Sequence, residues 1–348
     1  TKWFFRDSNW SPDFMLSSLQ LISAFTHEVS SIPLEYRANV QEPINFDGVI
    51  GFTPDFASDL LEITGPLTAG GQVFDAQNVF DKLEYQVEFG YVGEGIPSEQ
   101  RKEILSELVN EMKSALYRLP LESWLSVIDV TRTALNTKQL VLYSKDIGTQ
   151  QNLEQVGWAG RVAPKSVDTQ IVVDANLAAL KSDPAVKRSI DYSISRNDEG
   201  RYVGRTTITY NHTGSFDWKT TRYRTYTRIF VPKGSELISV KGSWLNDVTQ
   251  NPTNAPAPVD VGNELDAIGL MSFGTFTSIE PGDEHSLSFE YLLSPEIAKA
   301  IEDGLYNLEI IKQIGAAAHT LTLDLDFDKK VLDAVPAEDQ SDWWDRSY

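Results

Sequence analysis

Between Ile190 and Asn211 the sequence reads IDYSISR, then NDEG, then RYVGRTTITYN. Two runs of alternating apolar and polar residues flank an Asn/Asp/Gly turn, the signature of an antiparallel hairpin: period two gives each strand one apolar face, and the turn residues reverse the chain. The same habit recurs in RYRTYTRIFVP, LISVKG, HSLSFEYLL, YNLEIIKQ and HTLTLDLDF. A series of short strands with turn residues between them points to a β-sandwich over a parallel sheet. Residues 246–263, rich in Asn, Pro and small residues, read as a long exposed loop.

Ahead of APKSVDTQ the periodicity is different. In SPDFMLSSLQLISAF, Ser11 is the expected N-cap, Pro12 the first helical residue and Asp13 a first-turn carboxylate, with Met15, Leu19 and Ile22 on one face. DGVIGF reads as a buried strand, and TPDFASDLLEITGP repeats the helix start at Thr53, Pro54 and Asp55 before stopping at Gly65 and Pro66. PSEQRKEILSELVNEMKSALYRL spaces Ile104, Leu108, Met112, Ala115 and Leu119 as one apolar stripe. A helix near LESWLSVIDVTRTAL and a strand in QLVLYS follow. A chain of 348 residues with 41% hydrophobic content exceeds one ordinary domain. The expected arrangement is an α/β domain over residues 1–164 and a β-sandwich over 165–348, an α+β two-domain protein with its junction near Pro164.

Fifty acidic against thirty basic residues give a net charge of -20, which repels nucleic acid and anionic membrane surfaces on average. Cysteine is absent, so disulfides, thiolate chemistry and cysteine metal sites are excluded. No apolar run approaches the roughly 18 residues of a membrane span, and residues 1–20 lack the basic-then-apolar order of a signal peptide. The four histidines, His27, His212, His285 and His319, show no zinc-helix spacing. No serine sits in a nucleophile elbow, and no Gly-rich phosphate loop follows a strand. Asn211-His212-Thr213 fits the N-glycosylation pattern, which is short enough to arise by chance.

Residues 3–14, WFFRDSNWSPDF, place Arg6 and Asp7 among five aromatic residues. A guanidinium forks onto phosphate oxygens and a carboxylate is a hard Mg²⁺ ligand, so the pair can hold a pyrophosphate and its metal; neighbouring opposite charges more often simply pair. Asp13 and Asp55 read as helix-start carboxylates rather than catalytic acids. Asp324, Asp326 and Asp328 share one strand face, with calcium ligation the alternative to a solvated polar face. Arg222, Arg224 and Arg228 alternate with tyrosines and threonines, either as a glycan or nucleic-acid platform, the latter disfavoured by the net charge, or as plain strand alternation.

Several phrases together carry a family resemblance: FRDSNWSPDF, DGVIGFTPDFASDLLEITGPL, RKEILSELVNEMKSAL, LVLYSKDIGTQQNLEQVGWAGRV, VVDANLAALKSD and YRTYTRIFVPKGSEL. In this order they resemble the bacterial cell-envelope family known as domain of unknown function 4012, whose first part is similar to the LytR-CpsA-Psr enzymes that move glycopolymers from a polyprenyl pyrophosphate carrier to the cell wall. The resemblance implies a LytR-CpsA-Psr-like α/β domain followed by an Ig-like antiparallel β-sandwich. It also implies an extracytoplasmic location at the cell envelope or surface, with a membrane helix and the first strands of the α/β domain ahead of FRDSNW, and further strands beyond DWWDRSY. Those first strands would be supplied by a longer precursor or by a cleaved N-terminal segment.

The same resemblance puts Arg6, Asp7 and Arg101 at the pyrophosphate, with Asp7 at the Mg²⁺, and Arg101 at the start of the long helix, a position suited to phosphate. It departs in LEYQVEF, where the enzymes carry arginines on a strand and this chain has Gln86 and Glu88. A carboxylate there weakens anion binding. Two expectations follow: a structural or glycan-interacting surface protein in which Arg6 and Asp7 persist as a buried ion pair beside Trp3, Phe5 and Trp10, or a Mg²⁺-dependent phosphotransferase.

Overall fold

The computed structural model describes residues 5–33, 35, 45–98, 100–163, 167–247, 255–317 and 319–337. The chain divides into two compact units, Thr1–Arg161 with Ile314–Ala316, and Val162–Gln313 with Ala317–Tyr348. Pro164, the expected junction, lies outside the described residues, as does the C-terminal DWWDRSY.

The first unit mixes helices with two small sheets. A 3₁₀ turn at Phe5–Asp7 leads into α1 (Phe14–Ser31), followed by β1 (Gly48–Phe52), α2 (Pro54–Thr64), β2 (Leu67–Ala69), β3 (Gln72–Phe74), α3 (Val79–Tyr85), α4 (Tyr91–Gly93), α5 (Glu103–Arg118), α6 (Ser123–Asn136), β4 (Leu140–Ser144) and α7 (Ile147–Gln155). β1 pairs antiparallel with β4, and β2 with β3. The start of α1 differs from expectation. Asp13, not Ser11, is the N-cap, accepting Leu16 N–H at 3.1 Å, while Ser11 Oγ accepts Asp13 N–H at 3.2 Å. A carboxylate satisfies an orphan helix donor and the helix dipole together, so it takes the cap when both residues are in reach. α2 starts at Pro54 and ends at Gly65, whose φ of 78° suits a glycine.

LEYQVEF is helical, not a strand. α3 runs into a π-helical turn at Gln86–Gly90 and then into α4. The spacing of Val79, Leu83 and Val87 explains this, because residues four apart share a helix face, and all three join the core with Leu61, Phe74, Ile104 and Leu108. A second, smaller cluster gathers Ala134, Leu135 and Leu140. β1 departs from its expected burial: Ile50 is 66% exposed and Phe52 56%, because β4 is its sole strand neighbour among the described residues.

The second unit holds two five-stranded sheets. Its elements are β5 (Asp168–Asn176), β6 (Val186–Arg196), β7 (Tyr202–His212), β8 (Tyr223–Pro232), β9 (Glu236–Lys241), β10 (Asp260–Gly262), β11 (Leu270–Ile279), β12 (Glu284–Leu292), α8 (Pro295–Glu302), β13 (Leu308–Ile311) and β14 (Thr320–Leu325). The sheet orders are β10-β11-β8-β5-β13 and β14-β6-β7-β12-β9. The hairpin read from IDYSISRNDEGRYVGRTTITYN is β6–β7, in register from Val186↔His212 to Arg196↔Tyr202. One apolar core takes side chains from both sheets, among them Ile229, Phe273, Ile208 and Phe289. Two pairings are parallel, β13 with β5 and β14 with β6, so each sheet is antiparallel except at one edge.

The 246–263 segment is less exposed than its composition implies. Asp247 and Ala257 are buried, Leu245 N–H bonds Ala255 O, and β10 adds a strand to β11; residues 248–254 lie outside the description. Asp247 is drawn in by Arg224, whose guanidinium grips both its oxygens.

Candidate functional site

The pyrophosphate candidates Arg6, Asp7 and Arg101 fall in the first unit. The Phe5–Asp7 turn is tied to α1 by Phe5 N–H donating to Glu28 Oε1 at 2.7 Å and by the edge-on contact of Phe5 with Phe25 at 5.6 Å. Arg6 Nε lies 3.7 Å from Asp7 Oδ1, with side chains 80% and 40% exposed. The pair is therefore a surface ion pair and not a buried one, because the Phe5 ring packs toward α1 while the two charges face water. Trp3, expected beside it, lies outside the described residues.

Arg101 stands in the turn before α5, ahead of the Lys102 cap, so it does not open the helix itself. Its guanidinium reaches back over the π-helical turn: Nη1 donates to Glu88 Oε2 at 3.2 Å and to Val87 O at 3.3 Å, and the group sits 5.9 Å from the Tyr91 ring centre. The sequence marked Glu88 as a carboxylate in an arginine's place; the structure makes it Arg101's own counterion. Neither Arg6 nor Asp7 is among Arg101's partners.

Sequence reasoning missed a third arginine. Arg161 Nε donates to Asp13 Oδ2 at 2.8 Å, and Nη1 donates to Glu154 Oε1 at 3.0 Å. Glu154 also accepts from Gln150 Nε2 at 2.8 Å, and Gln150 Oε1 in turn accepts Ser144 N–H at 2.9 Å. Asp13 is 1% exposed, so this carboxylate caps α1 and neutralises Arg161 in one place. Burial opposes the charge on Arg161, but the two carboxylates outweigh it and hold the guanidinium more basic than usual. Gly160 permits the approach, with φ of 59° and no room for a Cβ, which would meet Phe14 and Val141 at about 3 Å. The only hint in the sequence is this glycine in GWAGRV, which has no pattern of its own.

In the second unit, Arg224 and Arg228 of β8 pair with Asp247 and Glu264 at 2.7 and 2.8 Å, and Arg222 with Glu280. The alternating arginines thus meet carboxylates of the same unit. Asp324, Asp326 and Asp328 are exposed; among the described residues no three His, Cys, Asp or Glu side chains converge to hold a metal ion. Between the two sheets lies a buried polar set the sequence did not announce. Asp168 Oδ2 accepts from Tyr192 at 2.5 Å and Tyr306 at 2.7 Å, and Gln170 bridges Tyr291 and Thr206. Asp174 accepts from Tyr210, Thr225 and Thr227 and pairs with Arg188. Burial pushes the Asp168 carboxyl up despite the two tyrosine hydroxyls, and it pushes the Tyr192 and Tyr306 hydroxyls up as well.

At Asp7 the carboxylate would give a Mg²⁺ ion one oxygen ligand, and phosphate oxygens and water commonly complete the shell of this ion.

Comparison with protein-family models gives no match, and no curated protein matches the chain. Among solved structures, a Legionella pneumophila protein provisionally described as nutrient-binding aligns at 12% identity over 35% of this chain and 44% of its own, with a TM-score of 0.19. So slight a likeness carries no information on fold or function. The geometry of the arginines and their carboxylates is what a functional reading has to rest on.

Proposed function

We propose that the chain is a module of a bacterial cell-envelope protein, LytR-CpsA-Psr-like in its first unit and Ig-like in its second, that works as a structural or glycan-interacting surface element and not as an efficient catalyst. One observation carries the reading: Glu88 occupies the Arg101 guanidinium. A pyrophosphate would have to displace a carboxylate already in place, and it would meet the repulsion of a second anion beside it. Arg161 is engaged in the same way by Asp13 and Glu154. In an extracytoplasmic setting, with the anchor on a precursor, the partners are envelope glycans or other surface proteins. Among the described residues no helix is long and apolar enough to cross a membrane.

The competing reading, a Mg²⁺-dependent phosphotransferase acting on a polyprenyl pyrophosphate, draws on Arg6, whose guanidinium is largely solvent-exposed beside Asp7. Native mass spectrometry with a short-chain polyprenyl pyrophosphate separates the two. The expected result is weak, metal-independent adducts for the unaltered chain and stronger binding for Glu88→Gln, which releases Arg101. Tight Mg²⁺-dependent binding by the unaltered chain, lost in Arg6→Ala, would overturn the scaffold reading and call for an assay of glycan transfer.

A further inference from the structure

Among the described residues the outer edge of β1 has no strand beside it. On β4, Leu142 N–H turns away from β1 to Trp158 O at 3.1 Å, while Thr53 N–H reaches Gln139 O at 3.0 Å and Lys145 N–H reaches Asp47 O at 2.8 Å. With Ile50 opposite Leu142, these bonds fix the alternation of the antiparallel pair. Val49 and Gly51 bond β4, and Gly48, Ile50 and Phe52 direct their N–H and C=O groups outward. No other strand meets that edge among the described residues. The same strand carries the exposed Ile50 and Phe52 side chains. Exposed edges are ordinarily blunted by lysine, proline or a bulge. GVIGF has no lysine or proline, and its register runs unbroken.

Backbone donors and acceptors in a row beside apolar side chains at alternate positions form the surface that takes an added strand. Charge narrows what that strand can be. β1 itself is uncharged, but α2, which leaves it after Thr53, carries Asp55, Asp59 and Glu62 on one exposed face. At -20 per chain, a second copy would be repelled. We propose that the outer edge of β1 binds an extended segment of another polypeptide, apolar at alternate positions and basic at its ends, as an additional strand of the β1–β4 sheet.

Two synthetic peptides test this, each with a central Thr-Val-Thr-Val-Thr-Val run, one ending in paired lysines and the other in paired glutamates. Hydrogen exchange of the protein read by NMR should show the lysine peptide slowing the Gly48, Ile50 and Phe52 amides at least tenfold. The glutamate peptide should bind at least tenfold more weakly. Ile50→Pro removes one outward N–H and no bond to β4, and Ile50→Lys replaces the apolar side chain while keeping the backbone donor. Both should abolish the slowing, while the Val49 and Gly51 amides stay protected and report an intact pairing. No slowing by the lysine peptide, or slowing that survives both substitutions, overturns the proposal. Equal binding of the two peptides overturns the basic assignment. Protection of the same amides without peptide, together with a dimer in sedimentation, would make a second copy the occupant and overturn it too.

Discussion

The two units solve the same problem, burying apolar side chains, by different means. In the second, side chains from both sheets meet in one core, and buried polar groups there are matched at Gln170, to Tyr291 and Thr206, and at Asp174, to Tyr210 and Thr227, while Asp168 leaves its Oδ1 without a hydrogen bond. In the first, the clusters among the described residues form around helices, while Leu121 just before α6 and Leu125 and Ile128 within it remain 87%, 70% and 56% exposed, as do Ile50 and Phe52 of β1 at 66% and 56%. A sheet pair closes its own interior. A helical unit with two-stranded sheets leaves apolar side chains exposed among the described residues.

The largest test of that contrast is Phe289→Ala in β12. A fully buried phenylalanine shared between sheets should cost about 4 kcal/mol in urea unfolding, whereas Leu125→Ala in the first unit should cost under about 0.5 kcal/mol. Equal losses would break the comparison. Next comes Asp174→Ala, which strands the largely buried Arg188 and should cost about 3 kcal/mol; Asp174→Asn with Arg188→Met together should recover part of it. In the first unit Arg161→Met takes the guanidinium away from the buried Asp13 carboxylate, for an expected loss of about 2 kcal/mol seen as faster exchange at the start of α1.

A smaller effect separates the units by pH. The Asp168 carboxyl titrates above its ordinary value when folded, so between the unfolded and folded pKa values the native state holds a proton that the unfolded chain releases. The contribution of Asp168 to the stability of the second unit is then fully present in acid and is lost as pH rises from about 4 through the folded pKa. Asp168→Asn should flatten that part of the profile and leave exchange in the first unit unchanged. Smallest of all, Arg6→Ala should shift stability by less than about 0.5 kcal/mol, since its ion pair is solvated, and any larger change would mean that the turn has a structural duty.

The hairpin and most strands of the second unit were legible because alternation and turn chemistry are local. So were α2 with its proline start and glycine stop, and the stripe of α5. The parallel edge pairings were not legible, since partners far apart in sequence leave no local mark. The pyrophosphate candidates were named from residue type and resemblance, and their surroundings were hidden: no spacing rule connects Glu88 to Arg101 or Asp13 to Arg161 across a fold. LEYQVEF shows the opposite error, in which its own four-residue spacing said helix while the resemblance said strand.

The two parallel edges also set a schedule. Tyr306 reaches an aspartate 138 positions earlier, Tyr202 donates to a carbonyl 125 positions later at Phe327, and β13 and β14 each complete a different sheet from a single late stretch of chain. A ribosome making this protein must therefore finish β13 before the first of these sheets has all five strands and β14 before the second does, and until then β5 and β6 are bare edges. The helical unit is made before those strands, apart from Ile314–Ala316, which joins it late. Stalled or shortened chains would thus carry a folded beginning and a sticky end, which makes the stretch from Leu308 to Leu325 the point at which this protein escapes aggregation.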